Sequence, residues 1–409
     1  MDLRRLMREA LDLREEIVED RRALHRHPEL GGAEEWTQAF LIEKLARMGL
    51  RAQTYPGQRG VVSLIEGNVP SEGNVPSEGN APGGGSLPGR TVGLRADMDG
   101  LPVQEATGLA FASEIPGRMH ACGHDAHMAI QLGAAKLLLA HRDRLRGNVK
   151  LFFEHAEETY GGAQEMIAAG CMENPHVDAM LGLHMLPTLP AGKLLTRPGP
   201  VSGSSTDVRI AFHGRAGHGA YPERGVDALL IAAQAIVALQ SVVSRNVSPL
   251  DSAALSLGTI AGGKASNVVC DEVALHGTLR TLREETKALC KARITAVCEG
   301  VAQSLGGSAG VVFTDSYGAL YNDPALHARF EAVARELIGA QNVVAREAPS
   351  LGVESFSFFV QRVPGVYYDL GCGVGAPLHA CDFHVDEDCL PLGAALQAAT
   401  VFAFLEDGV

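Results

Sequence analysis

The residues best suited to chemistry lie in four short segments. MHACGHDAH (residues 119–127) sets Cys122 and His124 one residue apart in a Gly-containing turn just before a helix. A thiolate and an imidazole are both good ligands for a borderline divalent ion. FFEHAEETYGG (152–162) ends an apolar strand in adjacent carboxylates, Glu157 and Glu158, followed by Gly161 and Gly162. Adjacent residues at a strand end can point in different directions, so one acid can hold a metal while the other moves a proton. DAMLGLHMLP places His184 after another apolar strand, and APLHACDFHVDED (376–388) carries His379 and His384. Each segment alone has an ordinary explanation: a chance loop Cys and His, a solvated acidic turn, a core histidine. Their agreement matters because open α/β sheets collect ligands at the carboxyl ends of their strands.

The elements that must position these residues alternate between helix and strand, which predicts an α/β fold. Residues 11–26, 33–48 and 127–141 have helical apolar spacing. Residues 91–97, 148–157, 178–184 and 365–371 read as buried strands. Strands this apolar fit the middle of a mostly parallel sheet covered by helices on both faces. Asp97 ends one of them, either orienting a ligand histidine from behind or capping a turn. His25 and His27 sit near Pro28 at a helix end, and His127 and His384 read as structural or supporting residues.

Residues 199–311 read as an inserted α+β domain. It comprises a strand at 207–214, a helix at 226–244, strands at 253–260 and 271–282, and a helix at 284–304. The chain is then expected to return to the first domain, the one carrying the candidate ligands, at VVFTDSY (311–317), leaving residues 1–198 and 312–409 as its two parts. The tandem repeat EGNVPS, EGNVPS, EGNAPG over residues 66–83 is too rich in Pro and Gly to pack and reads as an exposed loop at a hairpin tip.

A length of 409 residues suits two domains, and 46% apolar with 20% charged residues suits a globular protein. The formal net charge of −13 argues against nucleic acid or an anionic membrane as partner. The charged, amphipathic N-terminal segment lacks the apolar core of a signal peptide. The most apolar stretch, 226–243, contains Asp227 and two Gln residues and reads as buried. Eight cysteines without a repeated close spacing read as reduced, cytoplasmic thiols, mostly core residues, with Cys122 the exception.

The order of GLRADMDGLPVQEATGLAFAS, GRMHACGHDAH, AEE–GGA, GLH, GRAGHGAYP and LGVESFSFF resembles the metal-dependent aminoacylase/carboxypeptidase family of peptidases. The branch it resembles is that of hippurate hydrolase and the indole-acetyl-amino-acid hydrolases. The resemblance runs from HRHPELGG (25–32) to PLHACDFHVDED. It implies that Cys122, His124, Glu158, His184 and His379 bind two divalent metal ions, Mn or Zn, with Co or Ni as further options. It implies Glu157 as general base and His218, in RAGHGA, as a second catalytic residue that stabilises the oxyanion. Asn267 and Arg280 are implied to hold a substrate carboxylate, and Glu354 to orient substrate or a ligand. The implied assembly is a homodimer joined through the inserted domain, a lid whose His218 reaches into the partner's active site. The implied reaction is hydrolysis of N-acyl-amino acids, hippurate-like or N-acetyl. A dipeptidase or carboxypeptidase of the same family is the alternative, and a non-catalytic metal-binding relative a second one.

The chain departs from the family pattern at several positions. FEHAEE stands where the pattern has FQPAEE, so Glu154 and His155 replace Gln and Pro, and His155 could add a hydrogen bond near Glu157. VESFS stands for AEDFS, so Ser355 replaces Asp. AGHGA stands for GGHAA and keeps His218. NVVCD stands for NVIPD, with Cys270 for Pro. None removes a ligand or the base, so activity is expected, while the substrate preference stays open.

Overall fold

A computed structural model describes residues 1–67 and 89–406. From residue 68 onward the hexapeptide repeat lies outside the described residues. The chain divides into two compact units: one comprises Met1–Gly199, Tyr321–Ala348 and Ser355–Val409, the other Pro200–Leu320 and Pro349–Glu354.

The larger unit is built on one sheet. Its strands are β1 (Ala52–Thr54), β2 (Val61–Glu66), β3 (Arg90–Asp97), β4 (Gly147–Glu154), β5 (Ala179–Leu186) and β6 (Leu194–Thr196), joined by β15 (Val343–Ala345) and β16 (Gly365–Gly371). Their order is β1-β2-β4-β3-β5-β16-β6-β15. The central four, β4, β3, β5 and β16, run parallel, so their carboxyl ends share one edge. Every residue of β4 and β16 is buried, as a strand covered on both faces requires. Neighbouring Phe152 and Phe153 point to opposite faces. Phe153 joins the main core, and Phe152 packs against Phe359 with ring centres 5.3 Å apart.

The helices of this unit are α1 (Leu3–Asp12), α2 (Arg14–Arg26), α3 (Glu35–Arg47), α4 (His124–Ala140), α5 (Ala163–Ala168), α8 (Pro324–Ile338), α9 (Ser357–Val360) and α10 (Cys389–Glu406). Helices α4 and α10 pack on each other and on β3. The charged N-terminal segment forms two helices, the second starting at Arg14 instead of at residue 11. The break at Leu13 lets α1 pack on α10 and α2 on α4.

Two short strands, β7 (Gly199–Ser202) and β14 (Leu320–Asn322), span the points where the chain passes between units. The smaller unit contains β8 (Ser204–His213), β9 (Gly217–His218), β10 (Ala253–Gly262), β11 (Val268–Val269), β12 (Glu272–Thr281) and β13 (Ser308–Tyr317), with α6 (Ala228–Asn246) and α7 (Glu284–Ser304). Its main sheet has the order β10-β12-β8-β13, all antiparallel. Leu239, Val242, Ile294 and Cys298 from the helices meet Val208, Ile210, Phe212 and Leu275 from the strands. The segment 311–317 does not return to the first domain. It is part of β13, where Val311 pairs with Ile210 of β8. Alternating exposure suits an antiparallel edge strand, but such a pattern does not say which sheet it joins.

By length and composition α6 and α10 are both apolar enough to cross a membrane, and α6, expected to be buried, is only 33% buried over its apolar window. All residues of α10 from Cys389 to Phe402 are buried in the core, which accounts for its composition.

Leu94 lies fully buried in the central β3, whereas Leu250 is 98% exposed. Leu94→Ala is expected to lower unfolding free energy by about 2–5 kcal/mol. Leu250→Ala should stay within about 0.5 kcal/mol of wild type. Denaturant midpoints of the two variants check this.

Candidate metal and catalytic site

The four segments singled out by residue type converge at the carboxyl edge of the parallel strands. Cys122 and His124 come from the turn into α4, Glu157 and Glu158 from the loop after β4, and His184 from β5. His379 comes from the loop preceding α10. The Cys122 Sγ lies 3.4 Å from His184 Nε2. Glu158 Oε1 lies 3.1 Å from His379 Nε2 and 4.0 Å from His124 Nε2. One donor atom from each of Cys122, His124 and His184 lies within 4.8 Å of the others. The same holds for Cys122, Glu158 and His379, and for His124, Glu157 and Glu158.

Unusual backbone makes this convergence possible. Gly123, between Cys122 and His124, has φ 88, which glycine adopts without strain, and a Cβ there would lie 2.9 Å from Met185 Cγ. Ala156 and His379 adopt positive φ, 54 and 68, without that freedom. Such residues cost of order 1–3 kcal/mol and persist where surroundings over-determine them. At Ala156 the N–H donates to Glu34 Oε1 at 2.7 Å, and its carbonyl accepts from Gly161 N–H at 3.0 Å. The result turns Glu157 and Glu158 back over the sheet edge. Burial, with the Asp99 charge nearby, pushes Glu34 up to about 7, against the pull of that Ala156 N–H.

Asp97 and Asp99 support the site in different ways. His124 Nδ1 lies 2.8 Å from the Asp99 carbonyl and 3.2 Å from its Oδ1, which leaves Nε2 facing the site. Asp99 Oδ2 also accepts the Glu158 backbone N–H at 3.0 Å. Asp97 bonds elsewhere: its Oδ1 to His127 Nδ1 at 2.6 Å, its Oδ2 to Arg95 Nη1 at 2.7 Å. Orientation of the candidate ligand His124 thus falls to Asp99, not to Asp97 as the sequence reading allowed, and Asp97 does not cap a turn. His127 Nε2 accepts the Met185 N–H at 2.9 Å, so its proton is on Nδ1 and points at Asp97. Burial pushes His127 down to about 4, against the pull of Asp97. The sequence reading missed Asp99, Glu34 and Arg95. The signal for Asp99 was its i, i+2 spacing from Asp97 in extended chain, which puts both acids on one side.

The donor set fits a divalent metal. His124 Nε2 is buried and, among the described residues, has no hydrogen-bond partner. Burial pushes the Cys122 thiol far up, with Glu158 and Glu157 adding to it against His124, so thiolate there calls for a cation. Burial works against ionised Glu158, but the His379 hydrogen bond and the His124 charge bring it down to about 2. The same hydrogen bond raises His379 against its burial. Sulfur and imidazole donors in the cluster suit a borderline transition-metal ion better than Ca or Mg.

Glu157 is half-buried, and its Oε1 faces the Ser355 N–H at 3.3 Å. His155 does not add the expected hydrogen bond near Glu157. Its ring is buried, its nitrogens lack hydrogen-bond partners among the described residues, and its Nε2 lies 3.7 Å from the Glu165 carboxylate. His384 is exposed.

His218, Asn267, Arg280 and Glu354 belong to the smaller unit. There His218 on β9 pairs with Val268 on β11, and Gly219 N–H donates to the Asn267 carbonyl at 2.8 Å, so His218 and Asn267 are neighbours. His218 Nδ1 accepts the Ala220 N–H at 3.1 Å, which puts a neutral ring's proton on Nε2. Arg280 lies on β12 opposite Ser205 and Ala254. Glu354 is buried.

A parallel sheet whose strand ends gather thiol, imidazole and carboxylate donors beside a further carboxylate defines a metal-binding hydrolase. Residues 93–403 match the model of Peptidase family M20/M25/M40, and the chain belongs to that family. Thermostable carboxypeptidase 2 of Saccharolobus solfataricus is 34% identical over 414 residues, 99% of each chain. IAA-amino acid hydrolase ILR1-like 4 of Arabidopsis thaliana is 36% identical over 399 residues, 95% of this chain and 86% of that one. The crystal structure of the Bacillus subtilis YXEP protein, a dinuclear metal-binding peptidase of the M20 family, superposes with a TM-score of 0.82. It is 29% identical, and the match covers 97% of this chain and 99% of that one. This chain is accordingly a hydrolase of a metal-dependent amidohydrolase and peptidase family.

Behind the site, His25 Nδ1 lies 2.9 Å from Asp125 Oδ2 and its Nε2 3.2 Å from Glu105 Oε1. Ionised carboxylates only accept, so both ring nitrogens must donate and the ring must be charged. Burial and Arg21 oppose that charge, but Asp125 and Glu105 prevail and push His25 up to about 9. A raised folded pKa gives stability that is complete below the unfolded value near 6.5 and lost as pH rises through 9. The expected loss between pH 6.5 and 9.5 is on the order of 1–3 kcal/mol. Thermal melts across that range should show it in wild type and a flatter profile in His25→Gln.

Proposed function

We propose that this chain hydrolyses the amide bond of N-acyl-amino acids, hippurate-like or N-acetyl, to a carboxylic acid and a free amino acid. The observation that carries the reading is the position of Glu157. Its carboxylate reaches to within 4.8 Å of donor atoms of His124 and Glu158, and its Oε1 accepts the backbone N–H of Ser355 at 3.3 Å. That is where a proton-transfer group belongs.

In this reading Cys122, His124, Glu158, His184 and His379 hold two divalent ions, Mn or Zn, with Co or Ni as alternatives. Cys122 belongs to two of the donor groups, which suits a shared ligand. When bound, the ions supply Lewis acidity for the amide carbonyl and acidify a nearby water. Glu157 takes the water's proton as the oxygen attacks the amide carbon, then delivers it to the departing amine. His218 donates its Nε2 proton to the oxyanion. Asn267 and Arg280 grip the substrate carboxylate, Arg280 by its planar fork, and Glu354 orients substrate or a ligand.

The assembly in this reading is a homodimer through the smaller unit, with His218 serving the partner's site. Strand β10 is an edge of its sheet, and Leu229, Leu230 and Val237 of α6 and Ile260 of β10 are exposed. An open edge beside apolar side chains favours pairing with another chain. The eight cysteines are free thiols, seven of them buried, which supports a reducing, cytoplasmic setting. The name of the Arabidopsis relative supports an amino-acid conjugate as substrate. The name of the Saccharolobus relative keeps a dipeptidase or carboxypeptidase as the second reading.

The test is a panel of benzoyl- and acetyl-amino acids against unblocked dipeptides, assayed with added Mn or Zn. Acyl-amino acids should be turned over faster, and chelator should abolish turnover. Glu157→Gln should lose roughly 100-fold or more in kcat while keeping its metal. Full activity in that variant would overturn the mechanism, and faster dipeptide cleavage would favour the second reading.

A further inference from the structure

Arg95 is a fully buried cation. Such a charge persists only where its hydrogen-bonding positions are met. Its Nη1 donates to Asp97 Oδ2 at 2.7 Å, its Nε to Glu154 Oε2 at 2.7 Å and its Nη2 to Ser355 Oγ at 2.6 Å. The other oxygen of Glu154 accepts the Ala163 N–H at 2.9 Å, across the loop that carries Glu157 and Glu158. The backbone N–H of Ser355 faces Glu157 Oε1. One guanidinium therefore ties the end of β3, the end of β4 and the residue that touches the candidate base.

Two side chains from distant parts of the chain, those of Glu154 and Ser355, meet on this guanidinium. Neutralising Glu154 alone, or placing an acid at 355 alone, would change the charge of a buried cluster that already contains Asp97, whereas moving one acid from 154 to 355 would not.

We infer that Glu154, Arg95 and Ser355 are positioning residues for Glu157, and that positions 154 and 355 are coupled through Arg95, an acid at one calling for a neutral group at the other. Arg95 holds the Ser355 side chain, the Ser355 N–H holds the Glu157 carboxylate, and Glu154 anchors Arg95 from the opposite end. The inference rests on the reading of Glu157 as base.

The experiment compares wild type, Glu154→Gln, Ser355→Asp and the double variant for kcat, KM, metal content and melting temperature. Glu154→Gln should lower kcat roughly tenfold and Ser355→Asp roughly 100-fold, with KM and metal content little changed. The double variant should recover to within roughly tenfold of wild type, a non-additivity that contacting residues show and independent ones do not. Losses that simply multiply in the double variant would overturn the coupling. If Ser355→Asp does not fold, Ser355→Ala decides, because it keeps the N–H to Glu157 and removes the acceptor for Arg95. Its kcat should fall roughly tenfold at constant KM, and unchanged kcat would overturn the positioning role. In a Glu157→Gln background the same Ser355→Ala change should have no further effect on kcat, and a further loss there would also overturn it. Wild-type turnover in Glu157→Gln alone would instead mark failure of the base assignment. Coupling of positions 154 and 355 in melting temperature would still be measurable in that case.

Discussion

Asp97 ends a buried strand with a charge that water does not reach. An isolated carboxylate in that position would take up a proton, because burial penalises its charged form. Arg95, His124 and His127 outweigh that burial and hold it well below the usual range. The contacts that do so fix other parts of the site. Arg95 carries the charge to Glu154 and Ser355, and thus to the loop of Glu157. His127 carries it to the Met185 N–H, next to His184. Removing the charge of Asp97 would leave a buried guanidinium short of a partner and free the ring that links the ends of β3 and β5.

Rigidity of this kind is what the loop geometry calls for. Ala156 and His379 sit in backbone conformations that cost energy, and each is adjacent to or part of the candidate site. Glu34 and the Gly161 N–H hold the Ala156 turn, and the Ala121 carbonyl accepts the His379 N–H at 2.8 Å. Strain concentrated where donor atoms must converge is a form of preorganisation. A stable parallel sheet underneath it, buried on both faces, makes that strain tolerable.

Much of this was legible in the sequence, for physical reasons that differ by element. The central strands read correctly because β3, β4, β5 and β16 are short, mostly apolar runs. The candidate ligands were singled out by residue type, and the structure brings donor atoms of Cys122, His124, Glu158, His184 and His379 into overlapping groups. What stayed hidden depends on contacts between distant residues. The bonds of Arg95 to Glu154 and Ser355 cross 59 and 260 positions. Nothing local distinguishes Asp97 from Asp99 as the partner of His124. The strand at 308–317 was assigned to the wrong sheet because an alternating strand carries no label of its partner. The break at Leu13 left no Gly or Pro to mark it, since it follows from which helices α1 and α2 pack against.

Cys122 belongs to two donor groups, as the proposed binding of two divalent ions requires. The most direct test of that proposal is metal stoichiometry after equilibrium dialysis against Mn or Zn, measured by elemental analysis on wild type and Cys122→Ala. Two ions per chain are expected in wild type and one or fewer in the variant, with the fold retained by circular dichroism. A single ion in wild type, or two ions undiminished in Cys122→Ala, would contradict it.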